Sequence, residues 1–198
     1  MNNYISIKGS YKDSLREGAF DYYINEKKGN KQIHHLSCEY NYKNGKLDGY
    51  YASWNSLGKE DEGYYLMGKR HGFFVSYNLN GSIQSIENYR NDSLKDWIKY
   101  FDGKVYASGF GKGGYLDGEY RQYNSDGKLF FLAYIQSGVV EKIVEYYPSG
   151  KIKREGEGVF ENLTEGGIRR TPFYPIKLIS GVIYEYDENG VVINIDRK

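Results

Sequence analysis

The sequence predicts an all-β protein, an elongated antiparallel sheet of tandem β-hairpins, and three observations lead there. Aromatic residues recur every 23 positions, at Trp54, Tyr77, Tyr100, Tyr123 and Tyr146, and a second row keeps that period three residues earlier, at Tyr51, Phe74, Trp97, Tyr120 and Ile143. A fixed short period marks a repeat architecture. The runs between glycines are rich in Tyr, Trp, Phe, Ile and Val, which suit a pleated, half-buried surface. Asn-Gly and Asp-Gly pairs separate them at Asn44-Gly45, Asn80-Gly81, Asp102-Gly103, Asp126-Gly127 and Asn189-Gly190. Such pairs tolerate the positive φ of a type I′ turn and signal hairpins.

Each unit follows from these signals in turn. Phe20 and Tyr23 lead to Gly29 in the first copy. Gly49 to Trp54 followed by Gly58-Lys59 is the second, and Gly72 to Tyr77 followed by Gly81 the third. The Tyr100 copy reaches Gly103-Lys104 one residue early. Gly118 to Tyr123 with Gly127-Lys128, Tyr146 with Gly150-Lys151, and Ile183 and Tyr186 with Gly190 bring the number to seven. The second half of the unit repeats in Tyr42-Lys43-Asn44-Gly45 and Tyr65-Leu66-Met67-Gly68, and Tyr11 and Tyr134 lead to Ser14 and Ser137 in the glycine position. The stretch from Asp92 to Phe101 has cap-like residues and helical spacing, yet Trp97 and Tyr100 fall on the register, so it is assigned to a strand. The glycines are mostly expected in turns. A lone unit of this size buries too little to stand by itself, and stability must come from neighbour stacking.

The continuous register predicts a single array over 1–198 with insertions near 30–41 and 155–180. The second insertion carries Arg169, Arg170, Phe173 and Tyr174. Insertions in repeat arrays map to loops on one face, often the binding face, although a capping excursion over the sheet end fits as well. Net charge is +1, from 27 basic and 26 acidic residues spread along the chain, so nucleic-acid binding is not expected. No apolar run reaches the length of a membrane span or a signal-peptide core, which leads us to expect a cytoplasmic protein. Cys38 is the one cysteine, so an internal disulfide is excluded.

Residues with chemistry are few. His34, His35 and Cys38 form a cluster of metal-ligand types, but adjacent histidines on an extended chain point to opposite sides and a fourth ligand is missing. No metal and no cofactor are therefore expected. His71 falls in a turn of the repeat and reads as structural, and the acidic run Glu60-Asp61-Glu62 reads as a solvated turn. No serine sits in a nucleophile elbow, and no convergent catalytic set exists. The expectation is a protein that is not an enzyme.

The pattern Tyr-x-x-Gly-Lys-x-x-Gly followed by aromatic positions resembles MORN (membrane occupation and recognition nexus) repeats, most closely in Tyr65-Leu66-Met67-Gly68-Lys69-Arg70-His71-Gly72-Phe73. The form Asp48-Gly49-x-Tyr51-x-x-Trp54-x-x-x-Gly58-Lys59 is closer to a bacterial variant found in YwqK-type antitoxins. The fourth copy departs from the pattern, with Asp92 and Lys95-Asp96 where glycines are expected. The resemblance implies a protein-binding partner of a toxin encoded nearby, which acts by stoichiometric occupation. A scaffold or membrane-peripheral module and a carbohydrate-binding repeat protein are the alternatives. Contacts are expected from Arg169, Arg170, Phe173 and Tyr174, extended along the sheet by the rings of Trp97 and Tyr120 as exposed positions.

Overall fold

A computed structural model describes residues 4–28, 31–113, 115–162 and 176–198. Among the described residues there are sixteen strands and no helix, and every strand pairing is antiparallel, as the sequence predicts. The stretch with helical spacing is strand β9. The chain forms two compact units, Met1–Ser93 and Leu94–Lys198.

In the first unit β1 (Tyr4–Lys12), β2 (Leu15–Lys28), β3 (Lys31–Lys43), β4 (Lys46–Asn55), β5 (Gly58–Leu66), β7 (Gly72–Tyr77) and β8 (Ile83–Arg90) pair in that order, and the two-residue β6 (Lys69–Arg70) folds back on β5. The second unit follows the same rule. It pairs β9 (Ser93–Phe101), β10 (Lys104–Lys112), β11 (Tyr115–Tyr123), β12 (Leu129–Gln136), β13 (Val139–Tyr146), β14 (Ile152–Asn162), β15 (Ile176–Tyr186) and β16 (Val192–Arg197).

Two kinds of turn recur among the described residues. Asn44-Gly45 and Asp102-Gly103 have positive φ at both residues (49° and 76°, 50° and 72°), the requirement of a two-residue type I′ turn. Asn80-Gly81, Asp126-Gly127 and Asn189-Gly190 differ from that expectation, because only the glycine has positive φ. There the chain closes a longer loop: Gly81 N donates to Asn78 O (2.9 Å) and Asn78 N to Ser82 O (2.8 Å), and Asn124–Lys128 and Asp187–Val191 repeat the arrangement. This is a type I turn ending in a left-handed glycine. The recurrent Gly-Lys also gains a reason. Lys104, Lys128 and Lys151 donate from Nζ to Ser125 O (2.8 Å), Pro148 O (3.0 Å) and Glu188 O (2.8 Å), so each lysine ties its turn to the turn of the next copy.

The marking aromatic has a structural role that recurs in all seven copies. Beside Tyr23, Trp54, Tyr77, Tyr100, Tyr123, Tyr146 and Tyr186 the register slips by one, which leaves Ser37, Glu60, Gln84, Tyr106, Phe130, Lys153 and Ile193 unpaired on the partner strand. A bulge of this kind bends the strand and increases its twist. Because side chains alternate along a strand, the two rows three residues apart lie on opposite faces. The earlier row is the core row: Trp97, Tyr120 and Ile143 are fully buried, whereas Tyr77 and Tyr100 are only half-buried.

The two units build their cores differently. In the first, rings follow one another at 4.9–6.3 Å from Tyr11 through Phe20, Tyr42, Tyr40, Tyr51, Tyr65 and Phe74 to Tyr89. Arg16 and Arg70 lie over rings of this ladder. In the second, Trp97, Ala107, Tyr120, Phe131, Ala133, Ile135, Val140, Ile143, Phe160, Leu178 and Ile183 form one buried cluster. Gly63, Gly109 and Gly156 stand inside strands, apart from the turns where most glycines were expected. A Cβ on Gly63 would come within 2.5 Å of the Phe74 ring, one on Gly109 within 3.0 Å of Trp97, and one on Gly156 within 2.8 Å of Ile183. A large side chain lies flat over a glycine of the adjoining strand.

The first insertion is absorbed by lengthening the β2–β3 hairpin, whose pairing runs to Lys28↔Lys31. At the second, β14 and β15 pair out to Asn162↔Ile176.

Candidate interaction surface

A concavity in the first unit lies on the face opposite the ring ladder. It is a groove of about 620 Å³ lined by Tyr50, Glu62, Tyr64, Leu66, Phe73 and Val75, with His71 at its side. The groove exists because β7 leaves β5 early. Their register holds only for Asp61↔Ser76 and Glu62↔Val75, and Tyr65 and Leu66 pair instead with the short β6. His71 N donates to Tyr64 O (2.9 Å) and closes the backbone at that point.

Beside the groove sits one ion pair, and its groups are satisfied from within. Lys59 Nζ donates to Glu62 Oε2 (2.8 Å) and to Tyr50 Oη (3.1 Å), Tyr50 Oη donates to Glu62 Oε2 (2.6 Å), and Tyr77 Oη donates to Glu62 Oε1. The Lys59 ammonium also lies 5.8 Å from the Trp54 ring centre. With these three donors, first Lys59, the Glu62 carboxyl is drawn down to about 2, and Glu62 in turn raises the Lys59 ammonium. Glu60-Asp61-Glu62 therefore differs from the solvated turn expected: it lies within β5 and anchors three side chains. A carboxylate already accepting three hydrogen bonds is poorly placed to move a proton.

The other candidate residues resolve as follows. Trp97 and Tyr120 are both 2% exposed, which corrects the expectation that their rings are open to a partner. They belong to the buried row, with ring centres 5.9 Å apart. Arg169, Arg170, Phe173 and Tyr174 lie outside the described residues. His34 stacks on Tyr23 at 4.5 Å and hydrogen-bonds through Nδ1 to Asn25 Oδ1, and burial pushes the Cys38 thiol up. Among the described residues no group of three His, Cys, Asp or Glu side chains could hold a metal ion. No helix among them is long and apolar enough to cross a membrane.

Fold and surface together define a repeat-built module with a side-chain-lined groove. The family model for the MORN repeat variant matches residues 116–136 and 142–159. The MORN repeat pattern is thus recognised in β11–β14 of the second unit, and the remaining strands follow the same hairpin succession. No curated protein matches the chain.

Proposed function

We propose that this chain is a non-enzymatic, protein-binding repeat protein of the antitoxin type, which acts in the cytoplasm by stoichiometric occupation of a partner toxin. The observation that carries the reading is the groove of the first unit. Its surface is dominated by Tyr50, Tyr64, Leu66, Phe73 and Val75, and its one charged pair is already paired internally. A cleft of that kind binds by shape and apolar contact. The resemblance to YwqK-type antitoxins supplies the partner class.

The test is co-expression with the product of the neighbouring gene, scored by growth rescue and co-purification at a fixed ratio. Rescue with a stable complex is expected, and rescue without a complex would contradict stoichiometric binding. Replacing residues 166–176 with a Gly-Ser linker asks in the same assay whether Arg169, Arg170, Phe173 and Tyr174 take part. Absence of both rescue and complex would favour a scaffold.

A further inference from the structure

Four arginines among the described residues are half-buried: Arg16, Arg70, Arg121 and Arg154. Three of them pair with a carboxylate, Arg70 with Asp92, Arg121 with Glu119 and Arg154 with Glu145. Arg16 pairs with none among the described residues. Its Nη1 donates instead to two phenols, Tyr22 Oη (3.0 Å) and Tyr42 Oη (2.9 Å). A guanidinium keeps its charge at every accessible pH, and hydrogen bonding to Tyr11 and Tyr42 raises this one further. Neutral phenols do not cancel that charge.

The repeat supplies a control inside the same unit, because Arg16 and Arg70 hold equivalent places. Gly45 N donates to Arg16 O (3.0 Å) as Asp92 N donates to Arg70 O (3.0 Å). Asn44-Gly45 and Asn91-Asp92 form the same turn, with φ 49° and 76° against 52° and 65°. Tyr42 and Tyr89 stand two residues before those turns, and each guanidinium lies over that ring, 5.1 and 4.0 Å from its centre. One thing differs. Asp92 Oδ1 accepts from Arg70 N (2.9 Å) and lies 3.5 Å from Arg70 Nε, whereas Gly45 has no side chain to offer. The same turn bond recurs at Leu47 with Gly68 and at Leu116 with Gly138. Of these four places, only that of Arg16 combines a cation with a turn glycine.

Withdrawing a charge from water without an opposite partner is costly, and the neighbours of Arg16 offer hydrogens more than acceptors. The two phenol oxygens, 3.5 Å apart, already accept from the guanidinium. One hydroxyl proton can go to the other phenol, and the second is left for an outside acceptor. Burial pushes Tyr22 up to about 12, so its hydroxyl remains a donor at neutral pH. The buried Phe20 ring, its centre 5.4 Å from the guanidinium carbon, gives the place an apolar floor.

We infer that Arg16, with the hydroxyls of Tyr22 and Tyr42, anchors a carboxylate side chain, Asp or Glu, of a partner protein. The inference rests on the protein-binding reading above and names the chemistry of the contact. The Arg70 copy selects a carboxylate, since Asp92 plays that part within the chain, and one guanidinium balances one negative charge. Guanidinium and carboxylate form the strong, charge-assisted kind of hydrogen bond, and Arg and Tyr are enriched among interface hot spots.

The test is an NMR titration of the full chain with glutamate blocked at both ends, read at the arginine Nε–H signals, with blocked glutamine as control. The Arg16 signal should move with glutamate and stay with glutamine, while the Arg70 signal stays with both. Gly45→Asp gives Arg16 the carboxylate of the Arg70 copy and should weaken the response about tenfold or more, the scale of a hydrogen bond to a charged group. Asp92 holds φ 65° at the same place, and the nearest atom a Cβ there meets is the end of the Leu15 side chain, at 3.2 Å. Tyr22→Phe removes one hydroxyl, keeps the ring and should weaken the response by a smaller factor. It decides the matter if circular dichroism shows Gly45→Asp unfolded. A silent Arg16 signal, equal movement at Arg16 and Arg70, or a response undiminished in a folded variant would overturn the site. The neighbouring-gene complex separates this inference from the reading beneath it. Arg16→Gln, or Tyr22→Phe if the first does not fold, should weaken that complex, the former about tenfold or more. A complex indifferent to the folded variant would overturn the anchor and leave the antitoxin reading standing. A glutamate response at Arg16 with no such complex would sustain the anchor and sink the antitoxin reading.

Discussion

In the first unit the rings from Tyr11 to Tyr89 touch in sequence, and most of them are only half-buried. In the second the chain from Trp97 to Ile183 buries Ile, Val, Leu, Phe and Ala side chains almost completely. The repeat is the same, with the same bulge beside each marking aromatic. What differs is how the apolar surface is covered. A tyrosine ladder packs edge-on and stays partly wet, whereas an aliphatic cluster removes more area from water per residue. The unit with the wetter core is also the one that exposes Tyr64, Leu66, Met67 and Phe73.

The largest effect should come from the second unit. Phe131→Ala should destabilise by about 3–5 kcal/mol, the range for deleting a large buried aromatic. Tyr77→Ala in the first unit should cost roughly 1.5–3 kcal/mol, the scale of one hydrogen bond to a charged group. Equal shifts in urea midpoint would erase the contrast between the buried row and the marking row.

Next come the glycines beneath the rings. Gly63→Ala forces Phe74 to move, and overpacking of this kind costs about 1–3 kcal/mol. Chemical-shift changes at Tyr65 and Tyr89, which touch the Phe74 ring, report the displacement. An unshifted spectrum would mean that the ring does not rest on the glycine.

Alkali should act on the tyrosines of the first unit. Burial pushes Tyr40 up to about 12, and burial with the hydrogen bond to Tyr42 does the same to Tyr22. A folded phenol that titrates above its free value of 10 favours folding below pH 10. That contribution is lost as the pH rises through about 12. Tyrosinate absorbance should therefore rise late and together with loss of the first unit's fold. Glu62 gives the opposite, smaller dependence. Its carboxyl sits near 2 in the fold against 4.5 when free, so its contribution is full above about pH 5 and fades as the pH falls towards 2. Glu62→Gln should flatten the acid limb of a stability titration. Smallest of all, Lys128→Met should change stability by no more than about 0.5 kcal/mol, since its bond to Pro148 O is exposed.

Much of this architecture was legible in the residues. The period, the strand type and the strand assignment of the Trp97 stretch followed from aromatic spacing, because a repeated sheet enforces its own register. The core row was harder to identify. A separation of three residues puts Trp54 and Tyr51 on opposite faces, and nothing in the spacing says which face is covered. The place of Gly63, Gly109 and Gly156 was not legible because the side chains above them, Phe74, Trp97 and Ile183, come from the adjoining strands. Leu66 and Met67 stand exposed at a turn, but apolar residues in a sheet are ordinarily taken as core. Trp97 and Tyr120 were misplaced for the converse reason: large rings suggest hot spots, and these rings are the filling of the sheet.

The most direct test is hydrogen exchange on the free, full-length chain, read amide by amide. If the two units differ as described, the slowest amides lie in β11–β14, around Tyr120, Phe131, Ala133 and Ile143. Those of β5 and β7 beside the groove should open at distinctly lower free energy. Protection that is uniform across both units, or greatest at β5 and β7, would contradict the account.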